Sequence, residues 1–182
     1  DVNRGTHPGA TYATIQKALS VSTSYTIVNI NPGQYQEAFP VTVPQGVSIQ
    51  GDTIRGVEVY PTTATQSEDA FLIEGETTIE NITIKDFFYD SGNDKGYAFR
   101  FKENASIIER SPYIKNCTVL TKGTAISASD RRGFGSGDAG KGALVNGSAV
   151  TQASPRASML FYGVTFITPG VDALTMRDGV KI

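Results

Sequence analysis

Four stretches decide the fold: Ala70-Phe71-Leu72-Ile73-Glu74-Gly75, Ala98-Phe99-Arg100-Phe101, Ala143-Leu144-Val145-Asn146-Gly147 and Ala173-Leu174-Thr175-Met176. Each reads as a short strand leading to a turn, and their starts lie 28, 45 and 30 residues apart. Between them falls a second motif, Ile79-Glu80-Asn81-Ile82-Thr83-Ile84, then Ile114-Lys115-Asn116-Cys117-Thr118-Val119, then Phe161-Tyr162-Gly163-Val164-Thr165-Phe166. Apolar and polar residues alternate in it, the period of a strand with one buried face. The two motifs recur in strict order with elastic spacing, which is what stacked coils with variable loops produce. A repeat near 30 fits one turn of a parallel β-helix, with two or three short strands per coil, each pairing with its equivalent above. Like then stacks over like, predicting an internal ladder of Ile82, Cys117 and Val164, with Cys117 as a core filler.

Composition agrees. The 182 residues hold 15 Ile, 14 Val and 20 Thr against 6 Leu, punctuated by 19 Gly and 8 Pro. β-branched side chains suit a pleated surface better than a helix. Sixteen Lys and Arg against 18 Asp and Glu, with no basic stripe, argue against a nucleic-acid partner. One Cys excludes an internal disulfide, and with a single His7 no metal site or cofactor is expected. No apolar run approaches the length of a membrane span.

Ahead of the repeats, Tyr12 to Leu19 places Ile15, Ala18 and Leu19 on one helical stripe, with Thr11 as N-cap and Gln16 and Lys17 facing outward. Such a helix can close the open end of a solenoid core. Strands cut by Pro and Gly follow: Thr26–Ile30, a turn at Asn31-Pro32-Gly33, Tyr35–Phe39, Val41–Val43, a turn at Pro44-Gln45-Gly46, and Val47–Gly51. The chain therefore reads as one domain over 1–182, with a cap over 1–25 and stacked coils over 26–182. It starts at Asp1 and stops as a new coil begins, so continuation past residue 182 is expected.

The long interval carries Ser127 to Gly142, a Gly-rich stretch with little hydrophobic periodicity, which reads as a loop inserted at about 127–142. Asp130, Arg131, Arg132 and Asp138 lie in it and form the ligand-binding candidates, because Arg forks suit carboxylate or sulfate groups on acidic glycans. Gly135 to Gly142 nearly matches a phosphate loop, but Gly142 stands where a Ser or Thr hydroxyl must hold magnesium, so a plain loop is the better reading.

Tyr12 to Leu19, Ile30 to Glu37 and Val43 to Asp52 together resemble the opening of pectin-lyase-like right-handed β-helix proteins, pectin methylesterases among them. The resemblance implies an all-β, single-stranded right-handed parallel β-helix with a short N-terminal capping helix. The catalytic motifs of the methylesterases, pectate lyases and polygalacturonases in that group are absent, so it carries over no catalytic residue. Over roughly residues 80 to 180, Gly96 to Phe101, Arg110 to Cys117 and Gly137 to Gly142 are similar to tail-fibre and other virion structural proteins of marine cyanobacterial phages. That resemblance implies a homo-oligomer, by family habit a trimer, in a virion or extracellular setting.

Paired carboxylates for glycoside hydrolysis would have to come from Glu74, Glu80, Asp86, Asp130, Asp138 or Asp172, flanking an open space. Phe87, Phe88, Tyr89, Tyr97 and Phe99 bracket the turn-rich Asp90–Gly96 and are expected to cover the core at a coil corner. The sequons at Asn81, Asn104, Asn116 and Asn146 are read as ladder residues of the fold. The leading expectation is a non-enzymatic phage structural or tail-fibre-type protein contacting a cell-surface polysaccharide or neighbouring subunits. The alternative is a polysaccharide lyase or hydrolase.

Overall fold

A computed structural model describes residues 11–106, 112–121, 140–146, 160–168 and 173–177. The chain is a parallel β-helix of five stacked coils, each contributing one strand to each of three parallel sheets. The coils are β1 (Ile27–Ile30), β2 (Gly33–Glu37) and β3 (Val41–Val43); β4 (Ser48–Gly51), β5 (Val57–Pro61) and β6 (Phe71–Gly75); β7 (Thr78–Glu80), β8 (Thr83–Lys85) and β9 (Tyr97–Ser106); β10 (Tyr113–Lys115), β11 (Thr118–Leu120) and β12 (Lys141–Asn146); and β13 (Leu160–Tyr162), β14 (Thr165–Ile167) and β15 (Leu174–Arg177). The first sheet runs β1-β4-β7-β10-β13, the second β2-β5-β8-β11-β14 and the third β3-β6-β9-β12-β15.

Register is set by burial. Phe71 pairs with Phe99 and Ile73 with Phe101, and all four are buried. The Phe71 and Phe99 rings stack at 6.2 Å. A one-residue slip would turn the whole buried set outward. In one place the repeat was misaligned: Ala143 pairs with Phe99 and Leu144 with Arg100, so Gly142, not Ala143, occupies the level of Ala98 and Ala173. A Cβ on Gly142 would strike the Ala173 carbonyl and the Phe166 ring, which is why glycine sits there.

The second motif is not one strand but two. Each copy bends at Asn81, Asn116 or Gly163, with φ of 59°, 47° and 64°. Asn and Gly tolerate this left-handed region best. Because the corner spans two residues, alternation resumes in phase, and Ile82 and Cys117 stay buried with Val164 packed against the core. The ladder is held by Thr118 N–H donating to Ile82 O at 3.0 Å and Thr165 N–H to Cys117 O at 2.9 Å. Asn81 and Asn116 are thus corner residues. Asn104 and Asn146 lie in β9 and β12.

The capping helix α1 (Ile15–Ser20) is shorter than expected, and its N-cap is Thr14 rather than Thr11. Thr14 Oγ1 accepts from Lys17 N–H at 3.2 Å, while the Glu37 carboxylate, 2% exposed, accepts from Ile15 N–H at 2.8 Å and Gln16 N–H at 3.3 Å. Orphan donors at a helix start need such acceptors. Ile15, Ala18 and Leu19 close the core as expected. Gln16 is not simply outward: its Oε1 accepts from Thr42 N–H at 3.1 Å, sealing the open edge of β3. Gly33 opens β2 instead of ending a turn.

Candidate functional site

The three corners differ in length. Passage from first to second sheet takes 31–32, 52–56, 81–82, 116–117 and 163–164, whereas passage from second to third takes 38–40, 62–70, 86–96, 121–140 and 168–173. The long connections therefore stack along one corner, which is where a β-helix displays variable chemistry.

At its centre lies a polar clasp. Asp69, 7% exposed, accepts on Oδ1 from Gly96 N–H and Tyr97 N–H, both at 3.0 Å, and pairs through Oδ2 with Arg100 at 3.1 Å. Arg100 also donates to the Asp94 backbone carbonyl at 2.6 Å and lies 3.9 Å from the Asp94 carboxylate. The Tyr89 and Tyr97 hydroxyls both donate to Asp94 Oδ1 at 2.9 Å, their rings edge to face at 5.7 Å. Lys141 sits 3.9 Å above the Tyr89 ring. Burial pushes the Asp69 carboxyl up, against the pull of the Tyr97 N–H and the Arg100 charge. Burial, then the Asp94 carboxylate, push the Tyr97 phenol well up.

The clasp holds a preformed loop. Asp90 and Lys95 form an antiparallel bridge, and Asp90 accepts from Gly92 N–H at 2.9 Å, from Asn93 N–H at 3.3 Å and from Asn93 Nδ2 at 2.7 Å. These bonds, the Asn93 side-chain amide foremost, lower the Asp90 pKa. Gly96, at φ 99°, is packed where a Cβ would run into the Phe88 carbonyl. Ser91, Gly92 and Asn93 are left exposed at the tip. One coil higher, the Thr121 hydroxyl donates to Gly140 O at 2.8 Å, Gly140 N–H donates to Phe87 O at 3.2 Å, and Lys141 N–H donates to Gly96 O at 2.8 Å.

Chemically, the clasp is closed upon itself. Hydrolysis by paired carboxylates needs an open space between them for the scissile bond. Here the Arg100 guanidinium is paired with both Asp69 and Asp94. Other ion pairs climb one coil at a time: Glu58–Lys85 at 2.7 Å on the second sheet and Glu68–Lys95 at 2.8 Å at the loop corner. Glu68 raises the Lys95 pKa. A separate cleft of about 310 Å³ lies at the first corner, lined by Asn29, Ile30, Asn31, Gln50, Gly51 and Asp52.

Of the sequence candidates, Asp130, Arg131, Arg132 and Asp138 lie outside the described residues, as does Asp172. The structure separates the other carboxylates: Glu80 ends β7 in the first sheet, Glu74 lies on β6 in the third, and Asp86 follows β8 at the loop corner. The expected loop ends earlier than 142, because Lys141 and Gly142 already belong to β12. No phosphate-loop helix follows them. Phe87, Tyr97 and Phe99 are buried and cover the core as expected. Asp69, Asp94, Arg100 and Thr121 went unnoticed, although aligning Ala70 with Ala98 already placed Asp69 under Tyr97.

Fold and corner define a parallel β-helix protein with one loop-bearing edge. Residues 1–85 match the model of a family described as a protein of unknown function, DUF1565, which is associated with right-handed β-helices. No curated protein and no solved structure matches the chain.

Proposed function

We propose that this chain is a non-enzymatic structural module, of the tail-fibre or virion type, whose stiff β-helix displays the loops of one corner toward a cell-surface polysaccharide or a neighbouring subunit. The observation that carries this reading is Arg100 joined to both Asp69 and Asp94: the clasp's acids are spent holding a loop in one shape. Preorganised loops on a rigid scaffold suit recognition, since less ordering entropy is lost on binding. The sequence resemblance over residues 80 to 180 supports a virion or other extracellular setting.

The test is incubation with a panel of neutral and acidic polysaccharides, read both by retention on immobilised polymer and by new reducing ends or unsaturated uronates. Retention without cleavage is expected, weakened by replacing Ser91 and Asn93 with Ala. Polymer cleavage that Asp94→Asn abolishes would instead establish the lyase or hydrolase reading.

A further inference from the structure

The outer face of the first sheet changes character along the helix axis. Gln50 pairs in register with Glu80, Glu80 with Lys115, and Lys115 with Tyr162, so these four outward positions form one column. The neighbouring column carries Ser48, Thr78, Tyr113 and Leu160. At the upper end Tyr113, Leu160 and Tyr162 are 40%, 44% and 66% exposed. Below them the side chains are small or amide-bearing. Glu80 and Lys115 lie on adjacent strands as opposite charges, yet among the described residues they form no ion pair with each other. Lys115 instead lies 5.4 Å above the Tyr113 ring.

We propose that this face pairs with a second copy of the chain, antiparallel, about a two-fold axis running along the strands between β7 and β10. Such an axis is isologous, so each contact occurs twice. It sets Glu80 against the partner copy's equivalent of Lys115, and Lys115 against that of Glu80. Tyr162 falls on Gln50 beside the cleft at Asn29 and Asp52, while Tyr113 and Leu160 fall on Thr78 and Ser48. Large side chains thus meet small ones and each charge meets its opposite, whereas parallel packing would set Glu80 on Glu80 and Tyr162 on Tyr162. Five strands give a face of about 24 by 10 Å. That is small for a permanent interface, so the pairing is weak and concentration-dependent.

Sedimentation of the full chain over a wide concentration range is expected to show monomer passing to dimer. Glu80→Lys and Lys115→Glu should each weaken association about tenfold, and the double exchange should restore it, because charge complementarity returns. Orientation is read by mixing a Gln50→Cys chain with a Tyr162→Cys chain under oxidation. The mixture should cross-link and neither variant alone should; Cys117 is buried and takes no part. The proposal is overturned by a chain that stays monomeric, by a mass of three copies, by a double exchange as weak as the singles, or by Tyr162→Cys cross-linking to itself. A monomer whose retention on a polysaccharide depends on Tyr162 also overturns it.

Discussion

The Thr121 hydroxyl donates to the Gly140 carbonyl at 2.8 Å, and both residues are buried, so the chain that leaves the wall after β11 returns to it at one closed point. A buried carbonyl deprived of its donor costs about 1–3 kcal/mol. Thr121→Val keeps the volume and removes the donor, and is expected to lower unfolding free energy by that amount in urea titration. Proteolysis within residues 122–139 should accelerate in the same variant. Gly140→Ala should do more, since a Cβ there overlaps the Phe87 ring and approaches the Phe87 carbonyl at 2.9 Å.

Arg100 should matter more than the other inter-coil cations. Lys95 and Glu68 have side chains 43% and 34% exposed, so Lys95→Met is expected to cost under about 1 kcal/mol. Arg100→Met leaves Asp69, whose side chain is 10% exposed, without its counter-charge. Breaking a buried pair costs about 3–5 kcal/mol, reduced here because Arg100 is itself 25% exposed, so about 2 kcal/mol is expected. Asp69→Asn in the Arg100→Met background should recover part of the loss. Equal effects of Lys95→Met and Arg100→Met in chemical denaturation would contradict this ranking.

The fold was legible because its signals are periodic. Ile79, Ile82 and Ile84 alternate straight through a corner, and the same pattern recurs at Ile114 and Phe161. The corner itself could be found only by noticing that Asn81, Asn116 and Gly163 share a position, since hydrophobic alternation does not reveal a bend that preserves phase. The clasp was less legible because its members are polar and contact each other across a coil: Asp69 and Arg100 are 31 residues apart. Nothing local in Glu68-Asp69 distinguishes it from a solvated acidic pair. Only the stacking of Ala70 under Ala98 makes it a neighbour of Tyr97.

The corner residues make a direct test. Asn116 holds φ at 47°, and its N–H donates to Tyr162 O at 2.8 Å. An ordinary side chain in the left-handed region costs about 1–2 kcal/mol, which Gly avoids. Asn116→Ala is therefore expected to destabilise by about 1 kcal/mol and Asn116→Gly by less, measured by urea midpoint at unchanged slope. The reverse order would show that the Asn side chain, not the backbone, holds the corner.

Cys117 gives a signature in alkali. Burial pushes its thiol up to about 12, from a model value of 9.0. Between those limits the folded chain keeps a proton that the unfolded chain releases, so the native state binds more protons and stability falls as pH rises. The stabilising contribution is complete below the unfolded pKa and is lost through the folded one, at about 1.4 kcal/mol per pH unit. The raised Tyr35 and Tyr97 phenols add a slope of the same sign, beginning nearer their model value of 10.0. The window between pH 9 and 10 therefore isolates the thiol. Cys117→Ala should flatten the unfolding free energy there even if the variant is less stable at neutral pH, and wild-type Cys117 should resist thiol reagents until the chain unfolds. An unchanged slope in the alanine variant, or rapid labelling of the folded chain, would place Cys117 outside the ladder between Ile82 and Val164.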